Sequence, residues 1–116
     1  MLTVNLKRAY DPQQPDDGYR VFVDKLWPRG LSHATFHYDE WDKQFAPSDL
    51  LREWFHADPD NRWNEFATRY GKELDDNAAF ADFKSRMMKF GTVTLLFGSH
   101  DRVHNNAVVI RDRLLD

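Results

Sequence analysis

The chain reads as a small α/β domain, and three observations carry that reading. Residues 21–23 and Thr92–Phe97 are short apolar runs rich in β-branched and aromatic side chains, each closed by proline or glycine within a few residues. Between them, apolar residues recur at helical spacing, and a long helical crossover normally joins parallel neighbours in one sheet. Near the start, Leu2, Val4 and Leu6 alternate with Thr3, Asn5 and Lys7, the period-two pattern of an edge strand with one wet face. The expected architecture is a mainly parallel sheet of about three strands covered by about five helices, in a single domain.

Each helix has a start signal. Ser48 is a good N-cap for a helix carrying Leu51, Trp54 and Phe55. Asp58-Pro59 combines a capping residue with proline at the first helical position, and Trp63, Phe66, Tyr70 and Leu74 then share one face. Asn77 opens a helix bearing Phe80, Phe83, Met87 and Phe90, which Gly91 closes. Asn105 caps a last helix from Asn106 to about Leu115. Tyr38, Trp41 and Phe45, spaced i, i+3, i+7, predict a further short helix. Residues 10–18 carry two prolines, three aspartates and a glycine, which is loop chemistry.

Composition excludes several functions. The 116 residues include no cysteine, so thiol nucleophiles, disulfides and cysteine-ligated zinc are ruled out, and the expected location is cytoplasmic. A net charge of −3 disfavours sequence-blind binding to duplex nucleic acid. No apolar run is long enough for a membrane span. Neither a Walker-type nor a Rossmann-type glycine-rich loop is present, no Gly-x-Ser-x-Gly elbow surrounds Ser99, and no cofactor is expected. With 15% aromatic residues, ring stripes at helical spacing are read as core.

The stretch from Arg20 to Gly30 concentrates chemistry. Asp24 interrupts an apolar strand, and an ionised carboxylate there needs a partner or a shifted pKa. The Trp27-Pro28-Arg29-Gly30 turn then presents Arg29 on a constrained backbone. If the two buried strands are parallel, this turn and the loop from Gly98 to Asn106 share the carboxyl edge of the sheet, where open α/β sheets bind ligands. That loop holds Asp101, His104, Asn105 and Asn106, and the following helix start favours an anion.

The residues Arg8-Ala9-Tyr10-Asp11, the run from Gly18 through Trp27-Pro28-Arg29-Gly30, Leu51-Arg52-Glu53-Trp54-Phe55, Arg62-Trp63 and His104-Asn105-Asn106-Ala107 resemble signatures of the YeaO-like family, a domain of unknown function numbered 488. The resemblance spans nearly the whole chain. It implies a compact α/β domain of bacterial type and implies no activity. Lys25 stands where an arginine is common in that family.

The leading functional reading is a site for a small anionic or nucleotide-like ligand at the strand carboxyl ends. Arg20, Trp27, Arg29, Asn105 and Asn106 would bind it, Asp24, Asp101 or His104 would supply acid–base chemistry, and Tyr10 and Asp11 would form a lid. Against it stands an internal ion pair of Asp24 with Arg20 and Arg29 that only fixes the turn. A non-catalytic module binding nucleic acid or a protein partner is the alternative. A metal at His100, Asp101 and His104 would need helix there, and the loop residues argue against it.

Overall fold

The computed structural model describes residues 1–116. Four strands, β1 (Thr3–Arg8), β2 (Tyr19–Phe22), β3 (Glu40–Trp41) and β4 (Thr92–Phe97), form one sheet in the order β1-β4-β2-β3, with every pairing parallel. Four helices accompany them: α1 (Asp49–His56), α2 (Pro59–Asp76), α3 (Ala78–Phe90) and α4 (Asn106–Leu115). Short 3-10 turns occupy Pro15–Asp17 and Lys43–Phe45. The α/β class and the parallel crossover from β2 to β4 are as expected, and β3 is an addition.

β4 lies between β1 and β2 and is buried along five of its six residues, which explains its unbroken apolar sequence. Alternate side chains of the sheet feed two cores. Val21, Val23, Val93, Leu95 and Phe97 face the helices and join Phe66, Tyr70, Phe83 and Ile110 in the main core. Phe22 and Leu96 face the other way and meet Ala9 and Phe36, with Trp27, Tyr38 and Trp41 packed around them. β1 is the expected edge strand, its exposed Thr3 and Asn5 alternating with half-buried Val4 and Leu6.

The helix between 38 and 45 does not form. Glu40 and Trp41 pair with Val21 and Phe22, and Lys43–Phe45 is a single 3-10 turn. The three rings mimic a helical stripe because they serve different cores: Tyr38 and Trp41 pack on the Phe22 side, whereas Phe45 lies with Phe80 and Phe83 on the helix side. An extended chain passing the sheet edge reaches both.

The caps set the remaining boundaries. Ser48 Oγ accepts from the Leu51 N–H, Asn77 Oδ1 from Ala79, and Asn105 Oδ1 from Val108. Asp58 departs from the pattern: Asn61 Nδ2 donates to its carboxylate, which makes no bond to a helix N–H. The apolar faces of α2 and α3 are buried as their spacing predicts, except that Phe90 is exposed and stacks on Tyr19 at 3.8 Å. No helix is long and apolar enough to cross a membrane.

Candidate functional site

Because all strands are parallel, Arg8, Phe22, Trp41 and Phe97 end at one edge, and the segments after them meet there. Asp24 is the knot of that edge. Its Oδ2 accepts from the Gly98 N–H at 2.8 Å and its Oδ1 from Asn106 Nδ2 at 3.0 Å. Asn106 Nδ2 also donates to the Val23 carbonyl, and Trp41 Nε1 donates to the Asp24 carbonyl at 2.7 Å. The exits of β2 and β4, the start of α4 and β3 are thereby tied to one residue. Burial pushes the Asp24 carboxyl up, while Gly98 and Asn106 pull it back without cancelling the effect.

The geometry carries a chemical consequence. A negative group beside the first turn of α4 is favourable, and Asp24 supplies that group from within the chain. Its two oxygens are both engaged by internal donors. Gly98 must approach closely for this bond, since a Cβ there would lie 2.9 Å from Asp24 Oδ2.

The expected grouping of Asp24 with Arg20 is corrected. Arg20 is buried with its Nη1 on Asp17 and its Nε on the His37 carbonyl, while its backbone N–H donates to Asp39. Asp17 also takes Lys7 Nζ at 3.0 Å, and Thr94 Oγ1 donates to its carbonyl. Distance along the strand is the cause: four residues of extended chain span about 13 Å, so Arg20, level with Thr94 in mid-sheet, serves the loop that carries Asp17, while Asp24 lies beyond the carboxyl end of β2. Burial raises Asp17, and the Gln14 N–H, Lys7 and Arg20 outweigh it, so the carboxyl is held below its usual range.

Trp27 is also committed internally. Its Nε1 donates to the Leu31 carbonyl, and its ring packs against His33, Phe36, Tyr38 and Trp41. Arg29 is exposed, and Tyr10 Oη donates to its carbonyl at 2.7 Å. Tyr10 and Asp11, expected as a lid, follow β1 and are bonded to the neighbouring loops. Arg8 Cζ lies 4.6 Å from the Tyr10 ring centroid, and the guanidinium donates to the Gly98 and Ser99 carbonyls. Asp11 is gripped by both terminal nitrogens of Arg102, at 2.8 and 2.9 Å, and that contact holds its carboxyl down at about 2.

Asp101 and His104 stand apart from Asp24. The Asp101 carboxylate accepts from the Val103 and His104 N–H groups, which lower its pKa, and the His104 ring stacks on Trp63 at 4.5 Å. Asn105 caps α4 and donates to the Asp101 carbonyl. The three expected acid–base residues therefore each answer to different partners.

A shallow, open concavity of about 650 Å³ at this edge is lined by Lys25, Leu26, Trp41, Lys43 and Gln44. Lys43 Nζ sits 4.1 Å from the Trp41 ring centroid, and Lys25 Nζ reaches Asp49 at 2.7 Å in a half-exposed pair. Lys43 belongs to no motif, and Lys25 lies within the Gly18–Gly30 signature; only the pairing of β3 with β2 brings residues 41–44 beside it. Three or more His, Asp or Glu side chains that could hold a metal ion are nowhere grouped.

A small all-parallel α/β domain whose carboxyl edge is tied shut by its own carboxylate is the class this geometry defines. A family model described as the inactive DUF488-N3 subclade matches residues 3–116, and the chain belongs to that family. It is 35% identical over 113 residues to the Escherichia coli K12 protein YeaO, covering 97% of each. It is 38% identical over 111 residues to Rv3073c of Mycobacterium tuberculosis H37Rv and to Mb3100c of Mycobacterium bovis, covering 96% of this chain and 92% of theirs. No solved structure matches.

Proposed function

We propose that this domain is a non-catalytic receptor for a small anionic, nucleotide-like ligand held in the Lys25–Trp41–Lys43 concavity. The observation that carries the reading is the lining itself: Lys43 over the Trp41 indole, Lys25 in an exposed pair with Asp49, and Gln44 and Leu26 beside them. Ammonium groups suit phosphate as point charges, and an indole face suits a flat base. Subclade membership and the engaged state of Asp24 and Asp101 both support binding without turnover. Arg29, exposed on the same edge, is a third cation available to a ligand larger than a mononucleotide.

The test is a chemical-shift titration of the protein with adenosine monophosphate and, separately, inorganic phosphate. Shifts centred on Trp41, Lys43 and Lys25, lost in a folded Lys25→Ala/Lys43→Ala variant, are the expected result. Loss in Arg29→Ala but not in the double lysine variant would move the site to the Trp27–Gly30 turn. No shift with either probe would refute the reading.

A further inference from the structure

Asp42 carries the one buried side-chain oxygen in the chain without a hydrogen-bond partner, its Oδ2. The residue is 6% exposed, and its other oxygen has only a long contact of 3.4 Å from Gln44 Nε2. Its backbone is fixed, since the Asp42 N–H donates to the Phe22 carbonyl at 2.9 Å. Glu40 lies two residues back along the same extended segment, on the same side as Asp42, and its carboxylate raises the Asp42 pKa. Two ionised carboxylates cannot bond each other, because neither has a proton to donate. With one proton between them, the orphaned oxygen becomes a donor and the contact a charge-assisted hydrogen bond.

The charged neighbours decide which residue keeps the proton. Arg86 of α3 chelates Glu40 at 2.9 and 3.0 Å, and Tyr19 Oη of β2 donates to it at 2.8 Å. Asp82 of α3 lies 3.4 Å from Arg86 Nε and shares its charge. Glu40 is thus held ionised, its pKa lowered by Arg86 first, and the proton belongs on Asp42. Burial, then the Glu40 carboxylate, push Asp42 up to about 8, against which Arg86 acts weakly.

The position of the pair matters because Trp41 lies between its members and Lys43 and Gln44 follow directly. We infer that the Glu40–Asp42 pair is a proton latch on the anion concavity, holding β3 and the Lys43–Phe45 turn in place while Asp42 is protonated. Ionisation of Asp42 breaks the shared bond and adds a negative charge to the residue that joins Trp41 to Lys43 in the chain. Affinity for an anion is then flat below the Asp42 pKa and falls above it. For a dianion taken to sit about 10 Å from the new charge, in an effective dielectric of about 20 and with screening at physiological salt, the loss is about fivefold. The affinity arm of this inference rests on the ligand reading proposed above; the latch itself does not.

The experiment has a ligand-free arm and a ligand arm. In the free protein, the Asp42 Cγ carbon-13 resonance is followed with pH, together with the Trp41 indole N–H. Asp42 titrating well above the ordinary carboxylate range, with Trp41 moving in step, is the expected result. Asp42 titrating near about 4, or Trp41 remaining still through its transition, would overturn the latch. In the second arm, adenosine monophosphate is titrated at about pH 7 and about pH 9, where its charge is nearly constant. The wild type weakens about fivefold, whereas Asp42→Asn, whose amide donates to Glu40 as the acid does, shows no change. Equal weakening in Asp42→Asn would overturn the linkage. Absence of binding at both pH values, with the carbon-13 titration intact, would overturn the ligand reading and leave the latch standing.

Discussion

Arg20→Met separates an arginine that holds the fold from one that holds a ligand. Its side chain is 4% exposed and that of its partner Asp17 is 6%, so the pair is effectively withdrawn from water. Removing one member of a buried pair typically costs about 3–5 kcal/mol, because the other is left charged in a poor solvent. Here Lys7 stays on Asp17 at 3.0 Å and moderates the loss. The His37 carbonyl also loses its donor but sits on an exposed residue where water can replace it. The expected cost is therefore at the low end, about 3 kcal/mol, read as a shift in urea midpoint at unchanged slope. Arg20→Met combined with Asp17→Leu removes both charges and should recover part of the loss. The pH dependence has a definite sign. Asp17 is depressed in the fold, so its contribution is present above its unfolded pKa of about 3.9 and disappears as pH falls through the lower folded value. A cost below about 1 kcal/mol for Arg20→Met, in a protein of wild-type slope, would refute the assignment of Arg20 to the interior ion pair.

Other substitutions probe separate features of the fold. Gly18→Ala should destabilise by about 3 kcal/mol or prevent folding, because φ is +67° and a Cβ would lie 2.3 Å from the Thr92 carbonyl oxygen; a melting temperature within a degree or two of wild type would contradict this. Tyr70→Phe deletes a fully buried hydroxyl that donates to the Phe45 carbonyl, with an expected loss of about 1–3 kcal/mol in chemical denaturation. Asp11→Asn weakens the Arg102 clamp, so amide exchange should quicken in residues 99–104 while α2 stays protected. In the wild type the same loosening should appear on acidification from about 4 toward the depressed Asp11 value of about 2, since a lowered carboxyl loses its stabilising partner only when protonated.

Local patterning is enough to set the parallel sheet and most of its covering. Alternation at residues 2–6, the uninterrupted apolar run of β4 and the caps at Ser48, Asn77 and Asn105 are local signals, decided within a few residues of backbone. The family signatures near Trp27 and His104 were legible for the same reason. The partnerships of the charged groups were not. Asp24 and Arg20 are four residues apart, yet one binds Gly98 and Asn106 while the other binds Asp17 and His37. What stands opposite each level of a strand depends on register between segments distant in sequence. Nothing in the local sequence ties Arg86 to Glu40, 46 positions away, and the fold alone brings them together. The helical spacing of Tyr38, Trp41 and Phe45 concealed β3, and with it the concavity and the Asp42 carboxyl. Two residues of strand carry too little local pattern to announce themselves; pairing with β2 alone decides them.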